Sequence, residues 1–293
     1  IVQPNVAQRD KPDPNRWWEN IRASLDLSGD LAPDGARRIY VVWPENAAPF
    51  LDRVPDGKAA VQSVLPPEAV LLTGAIRQSE DGDAVRYHNG FLVLPQGQDT
   101  LATYDKHHLV PFGEYLPFKS LLRALGLSQL APVEDGFTPG GGPTALEVPG
   151  DPPFAPLICY EAIFPGEVRR AAREADWLVT VTNDAWFGDT SGPRQHLDQA
   201  RLRAVETGRP MVRSANTGVS ALIDAKGRVR TRISLYRSGR INSVLPKPIH
   251  TTLYVHFGLL GYWLCIALLA MLSALEKRGA KIALSLTHFE ERD

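Results

Sequence analysis

The sequence predicts a mixed α/β domain followed by one long apolar helix. Three observations lead there. Apolar runs of strand length alternate with helical patterns through most of the chain. Several of those strands end in a residue able to do chemistry. Near the C-terminal end, Leu253 to Leu275 pass without a single Lys, Arg, Asp or Glu.

Taken in order, residues 1–8 read as a strand and Trp17 to Leu27 as a helix, followed by a Gly/Asp/Pro loop. Ile39 to Trp43 is an apolar strand. Ala69 to Arg77 and Tyr87 to Leu94 are two more, the second bounded by Pro95-Gln96-Gly97. The region from Gly113 to Gly142 is long, with a short helix expected around Phe118 to Leu125. Ala155 to Cys159 is a strand, Gly166 to Glu174 a helix and Trp177 to Thr182 a strand. His196 to Glu206 has a good helical pattern. Met211 to Ser214 and Ser220 to Asp224 read as strands, with Lys226-Gly227 as a turn signal. There are no internal repeats.

At a rise of about 1.5 Å per residue, the stretch from Leu253 is long enough to cross a bilayer core, which needs about 20 residues. Tyr254 suits an interfacial position, and Tyr262 and Trp263 add aromatic bulk. Glu276, Lys277, Arg278 and Lys281 follow at once. That excess of basic residues favours the cytoplasmic side for this flank, against Lys247 and His250 on the other, and places the preceding domain on the opposite, periplasmic side. The expected division is a catalytic domain over 1–248, a transmembrane helix over 249–276 and a short tail over 277–293.

Bulk properties exclude several classes. The chain has 293 residues, 44% of them hydrophobic, a formal charge of -1 and a pI near 6.7. That balance gives nucleic acid no basic face to bind. There is no Walker loop, no dinucleotide fingerprint and no metal-spaced Cys/His cluster, so no cofactor or metal is expected. His107-His108 is a tempting pair, but adjacent side chains seldom converge on one ion. The two cysteines are Cys159 and Cys265, the second inside the apolar stretch, so they are not expected to pair.

Cys159 stands in Pro156-Leu157-Ile158-Cys159-Tyr160-Glu161, where a strand pattern gives way to a helical one. A lone Cys in an apolar run is ordinarily a small buried hydrophobe. A thiol at such a junction is also well placed to be a nucleophile. Glu45, just past the strand in Val41-Val42-Trp43-Pro44-Glu45, would otherwise be a surface charge. Lys106 would otherwise be a solvated one, yet its loop, from Tyr104 to Pro117, is dense in Pro, Gly, His and aromatics. Glu, Lys and Cys, each at a strand end, are what thiol acyl transfer needs. The carboxylate takes the thiol proton, the ammonium holds the oxyanion and the thiolate attacks a carbonyl. The Tyr160 backbone N–H would be a second oxyanion donor.

These segments resemble the nitrilase, or carbon–nitrogen hydrolase, superfamily, and within it the membrane-bound apolipoprotein N-acyltransferase branch. The resemblance rests on Trp43-Pro44-Glu45, on Lys106-x-His108-Leu109-Val110-Pro111-Phe112-Gly113-Glu114, on Cys159-Tyr160-Glu161 and on Asn183-Asp184-Ala185-Trp186-Phe187-Gly188. It continues through Gly192-Pro193, Gln195-His196 and Ala215-Asn216-Thr217-Gly218. One departure is early: that branch usually has Lys-Trp after its opening Val-Gln-x-Asn, whereas this chain has Lys11-Pro12, with Trp17 and Trp18 farther on.

The resemblance implies an α-β-β-α sandwich, two sheets face to face with helices outside. It implies that a bundle of transmembrane helices precedes Ile1, where the chain opens on a strand with no initiator Met. It implies a multi-pass protein of the bacterial inner membrane that moves an acyl chain from a phospholipid, through a Cys159 thioester, to the α-amine of a diacylated apolipoprotein. Glu114 and Glu161 fall at positions that branch uses near its centre, where carboxylates could orient Lys106 and keep it charged. Tyr160 would be a packing residue or a wall beside the thioester. Trp186 and Phe187 would be core aromatics or an apolar surface for lipid chains. The leucine-rich stretch that includes Leu121 and Leu125 is expected to be a membrane-facing lid. Two other functions fit parts of the pattern: an amidase hydrolysing a small amide with the same residues, and an inert module that only binds lipoproteins.

Overall fold

The fold is known from a computed structural model, which describes residues 1–29, 38–82, 84–118 and 136–290. Two sheets dominate it. The first has strands in the order β2 (Ile39–Val42), β3 (Ala69–Asp81), β4 (Ala84–Pro95) and β5 (Ala102–Asp105). β2 pairs parallel with β3, and β3–β4 and β4–β5 are antiparallel. β5 therefore runs in the same direction as β2.

The second sheet is ordered β10 (Val229–Ile233), β9 (Ser220–Ile223), β8 (Met211–Ala215), β7 (Trp177–Thr182) and β6 (Phe154–Ile158). β6, β7 and β8 are parallel, and β9 and β10 add antiparallel edges. A third, two-stranded sheet pairs β1 (Val2–Gln3) with β11 (Gly239–Arg240).

Strand alternation sorts the apolar side chains into three layers. Val42, Val70, Leu72, Phe91 and Val93 of the first sheet meet Phe154, Ile158, Trp177, Val179 and Val181 of the second in the central layer. On the outer face of the first sheet, Val41, Trp43, Leu71 and Leu92 pack with Ile21 and Leu25 of α1 (Trp17–Leu25) and Val61 of α2 (Pro55–Val64). On the outer face of the second, Leu157, Leu178 and Met211 pack with Val168 and Ala171 of α3 (Pro165–Ala171) and Leu197, Ala200 and Ala204 of α4 (Gly192–Thr207). The result is the α-β-β-α sandwich. Burying strands on both faces is why they read as continuous apolar runs rather than alternating ones.

Several elements differ from expectation. Residues 1–8 form only the two-residue β1 before a 3₁₀ turn, Gln8–Asp10. Helix α2 and strands β5 and β10 had weak sequence signals. Helix α2 has only two buried residues, Gly57 and Val61, and the burial along β10 never becomes complete. Leu121 and Leu125 lie outside the described residues.

The apolar stretch is not one helix. A short α5 (Leu253–Phe257) ends at Gly258, whose φ of 59° and ψ of -128° leave the helical region, and α6 (Leu260–Glu290) follows. Helix α5 is fastened to the sandwich. The Thr252 hydroxyl donates to the Glu206 carbonyl, Ile249 N–H donates to the Gly208 carbonyl at 3.0 Å, and Arg169 Nη1 caps the Val255 carbonyl at 3.0 Å. By length and composition, α6 is able to cross a membrane: Leu260–Lys277 has a mean hydropathy of 1.5 and none of it is buried. Leu264, Leu268, Leu269, Met271 and Leu272 are all more than half exposed.

Candidate active site

Three chain segments leave the C-terminal ends of β2, β5 and β6 and converge. After β2, the Pro44-Glu45-Asn46 backbone presses on Gly74 of β3. A Cβ at Gly74 would sit 2.5 Å from Glu45 Cα, so only glycine permits the approach. Gly74 N–H donates to the Pro44 carbonyl at 3.2 Å and Ala47 N–H to the Gly74 carbonyl at 3.0 Å. Glu45 is thereby held pointing inward, 5% exposed.

Lys106 follows β5 and is 1% exposed. Its Nζ lies 2.8 Å from Glu114 Oε1 and 3.7 Å from Glu45 Oε1. Burial pulls its pKa down, but the charges of Glu45, Cys159 and Glu114 outweigh that and leave Lys106 above the ordinary lysine range. It stays an ammonium.

Cys159 begins a 3₁₀ turn, Cys159–Ile163, directly after β6, with φ at 49°. Left-handed backbone is uncommon for a residue other than glycine and clusters at functional sites. Burial, reinforced by Glu45, pushes the Cys159 thiol up to about 12 against the opposing pull of Lys106. The resting thiol is protonated, so its attack on a carbonyl requires a base.

Glu114 and Glu161 are placed differently. Glu114 grips Lys106 with Oε1 and accepts the Val110 N–H on Oε2 at 2.8 Å. Glu161 does not touch the ammonium. Its Oε1 accepts from the Tyr104 hydroxyl at 2.6 Å and His107 N–H at 2.8 Å, and its Oε2 from Ile158 N–H at 2.7 Å. It ties the Lys106 loop to the end of β6, and burial pushes its carboxyl up. Tyr160 packs in an aromatic group with His108 and Phe164. His107 and His108 turn to separate partners, the Gly140 carbonyl and Glu167.

Trp186 and Phe187 are not core residues: they are 70% and 44% exposed, on the 3₁₀ turn Asp184–Phe187 that follows β7. A cavity of 680 Å³ opens near the starts of β2 and β7, lined by Tyr40, Trp177 and Arg240, and touches none of Glu45, Lys106 or Cys159.

Sequence reasoning gave no role to three sets of neighbours, though Lys11, Asp184 and His196 stand in the motifs it quoted. Asn89, within β4, donates from one Nδ2 to Glu45 Oε1 at 2.8 Å and Glu114 Oε1 at 2.7 Å. Its only signal was a polar residue in a buried strand. Lys11 Nζ donates to the Glu45 main-chain carbonyl at 2.9 Å. Burial lowers it to about 8, against the opposing charges of Glu45 and Cys159. The third is a buried group behind Cys159, made of Asp184, His196 and Arg213. Cys159, Asp184 and His196 bring ligand atoms within 4.8 Å of one another. Yet both His196 nitrogens and both Asp184 oxygens already have hydrogen-bond partners, and Arg213 occupies the carboxylate, so the set is built as an ion-paired network rather than a metal site.

Residues 13–241 match the carbon-nitrogen hydrolase family. The chain belongs to it. Among curated proteins, the apolipoprotein N-acyltransferase of Rhodopseudomonas palustris is 43% identical over 286 residues, 95% of this chain and 53% of that protein. That of Bradyrhizobium diazoefficiens is 42% identical over 289 residues, 96% and 54%. The chain thus spans about half the length of these curated relatives. Among solved structures, an amidase from Nesterenkonia sp. aligns with a TM-score of 0.55 at 19% identity, over 81% of this chain and 86% of its own. A member of branch 10 of the nitrilase superfamily from Saccharomyces cerevisiae aligns with 0.57 at 17%, over 80% and 84%. At such identities the likeness is one of fold. This carbon–nitrogen hydrolase chain has a carboxylate, an ammonium and a thiol grouped at the strand ends of that fold.

Proposed function

We propose that this chain is the catalytic part of an apolipoprotein N-acyltransferase, with Cys159 as nucleophile, Glu45 as general base and acid, and Lys106 as oxyanion stabiliser. The observation that carries the reading is the buried Lys106, held charged between Glu114 and Glu45 with the Cys159 thiol in electrostatic reach. The names of its relatives supply the apolipoprotein acceptor, and the phospholipid donor is part of the proposal.

Glu45 takes the Cys159 proton as Sγ attacks the ester carbonyl of a phospholipid. The oxyanion forms against Lys106 and the Tyr160 N–H, where pre-aimed donors contribute most. Collapse breaks the C–O bond, Glu45 returns the proton to the departing oxygen, and a lysophospholipid leaves a thioester on Cys159. The α-amine of a diacylated apolipoprotein then attacks the thioester carbonyl and Glu45 takes its proton; the C–S bond breaks, Glu45 passes the proton to the departing Sγ, and the amide product and restored thiol close a ping-pong cycle. Water must be kept from the thioester. Exposed Trp186 and Phe187, and the stretch holding Leu121 and Leu125, are the apolar surface proposed to bring acyl chains to the site.

Helix α6 would anchor the chain in a bacterial inner membrane as part of a multi-pass protein, with the sandwich on the periplasmic side. The proposed division then differs from the expected one: the spanning helix would start at Leu260, 249–258 would go with the sandwich through α5, and α6 continues to Glu290, past the expected start of the tail at 277.

The test is intact-protein mass spectrometry of full-length protein mixed with phosphatidylethanolamine vesicles, beside Cys159→Ser. A hydroxylamine-labile acyl adduct on wild type, missing from the variant, is expected. An intact donor and no adduct on folded protein would instead favour a small-amide hydrolase, the activity named for the Nesterenkonia relative of this fold.

A further inference from the structure

We propose that His196 is a positioning residue for the nucleophile, acting through the Cys159 carbonyl. The inference deepens the acyltransferase reading and rests on it for the identity of Cys159 as the attacking group.

Cys159 holds a left-handed backbone that its side chain resists, so something must fix the peptide on both sides. On the N-terminal side, Glu161 Oε2 accepts the Ile158 N–H at 2.7 Å. On the C-terminal side, the Cys159 carbonyl faces His196 Nε2 at 3.1 Å. His196, near the start of α4, is 6% exposed. Its Nδ1 lies 2.8 Å from Asp184 Oδ1, and Arg213 Nη2 donates to Asp184 Oδ2 at 2.8 Å.

The protons follow from the partners. Burial alone would push the Asp184 carboxyl up, but Arg213 and His196 outweigh it and hold it at about 2, so it is ionised. Asp184 Oδ1 can only accept and Arg213 Nη2, 3.2 Å from Nδ1, can only donate, so Nδ1 stands between an acceptor and a donor. A carbonyl can only accept, so Nε2 donates to Cys159. The ring is thus clamped between the Asp184–Arg213 pair and the nucleophile's own carbonyl. The clamp is tightly built: a Cβ added at Gly218 would collide with the Asp184 carboxylate.

Fixing that carbonyl fixes the peptide plane between Cys159 and Tyr160. The plane is trans, so the Tyr160 N–H points opposite to the carbonyl and away from His196. One hydrogen bond thus fixes the backbone that carries Sγ and the direction of a proposed oxyanion donor. No step of the transfer uses His196 as acid or base.

Two variants separate positioning from mere filling of the core. His196→Gln puts an amide nitrogen near the Nε2 position and can still hold Cys159. His196→Asn puts one near the Nδ1 position and keeps only Asp184. Full-length protein is read in two ways, each below its unfolding midpoint: turnover with phosphatidylethanolamine vesicles and a diacylated lipopeptide as acceptor, and the pH profile of iodoacetamide alkylation on the Cys159 peptide, which needs no lipid. The Gln variant is expected to match wild type in both. The Asn variant should lose about tenfold or more in kcat with little change in KM, the factor expected for a lost buried hydrogen bond. Its alkylation profile should move down toward an ordinary thiol's, about 8.5. Any result in which the Gln and Asn variants share one alkylation profile overturns the proposal. If wild type forms no lipid adduct, the acyltransferase reading fails, and the alkylation comparison still decides the role of His196.

Discussion

Lys106 makes its closer contact with Glu114, at 2.8 Å, and stands 3.7 Å from Glu45. The two carboxylates are therefore not equivalent. Glu114 carries the standing ion pair, which leaves Glu45 with a weaker hold on the ammonium and free to exchange a proton. Glu114→Gln should let Lys106 swing onto Glu45 and tie up the base. The expected loss is about 10²–10³ in the rate of thioester formation, comparable to losing one oxyanion donor. Single-turnover acylation followed by mass spectrometry measures it. A rate within threefold of wild type would show that Lys106 does not need Glu114.

Asn89 bridges the same two carboxylates from a single amide nitrogen, while its own Oδ1 has no partner among the described residues. The amide is thus oriented by its two acceptors. Asn89→Asp would set a third carboxylate against them in a buried site, and the crowded group would be pushed to a raised pKa in the folded state. A raised carboxyl pKa means the folded protein binds protons more readily than the unfolded one. The penalty is then greatest at neutral pH and shrinks as pH falls. Melting temperatures of Asn89→Asp and wild type should differ by several degrees more at pH 7 than at pH 5. An equal gap at both would remove the electrostatic explanation.

Much of this site was legible in the sequence because each of its three central residues follows a strand, and strands buried on both faces give unmistakable apolar runs. Glu45 and Cys159 could be found as the first chemical group past such a run, whereas Lys106 follows the short, incompletely buried β5 and stood out through its loop, dense in Pro, Gly, His and aromatics. Asn89, Lys11 and His196 could not be found that way. Asn89 lies inside a strand, Lys11 follows a short 3₁₀ turn, and His196 lies within a helix, so their roles depend on which neighbours the fold supplies. The break at Gly258 was hidden for another reason: hydropathy is blind to a backbone turn, and the residues on either side are equally apolar. The Trp186-Phe187 pair shows the limit of composition, since aromatic residues read alike whether buried or 70% exposed.

Cys159 near 12 carries a prediction about Glu45. Burial is the largest cause of that high value and Glu45 the next, so removing the Glu45 charge should lower the thiol's pKa. Glu45→Gln is therefore expected to do two opposite things. Thioester formation from phospholipid should fall by about 10²–10⁴, the range for loss of a general base. Alkylation of Cys159 by iodoacetamide should begin at lower pH than in wild type. Parallel loss of both would mean that Glu45 shapes the site and does not serve as its base.

Lys11 adds a second titrating cation beside the main-chain carbonyl of Glu45. Burial lowers it to about 8, from an ordinary value of 10.5, against the attraction of Glu45 and Cys159. In the folded state it loses its proton first, so between about 8 and 10.5 the unfolded chain binds more protons and Lys11's contribution to stability rises with pH. Its effect on the reaction runs the other way. While charged, Lys11 favours an ionised Glu45 and the thiolate that forms on attack; once neutral, it favours neither. Wild-type acylation is expected to decline as pH rises through about 8. Lys11→Met should be several-fold slower at pH 7 and should lack that decline, because the titrating group is gone. Rates of adduct formation between pH 6.5 and 9.5 in both proteins decide the matter: the same descending limb in Lys11→Met would assign it to another group.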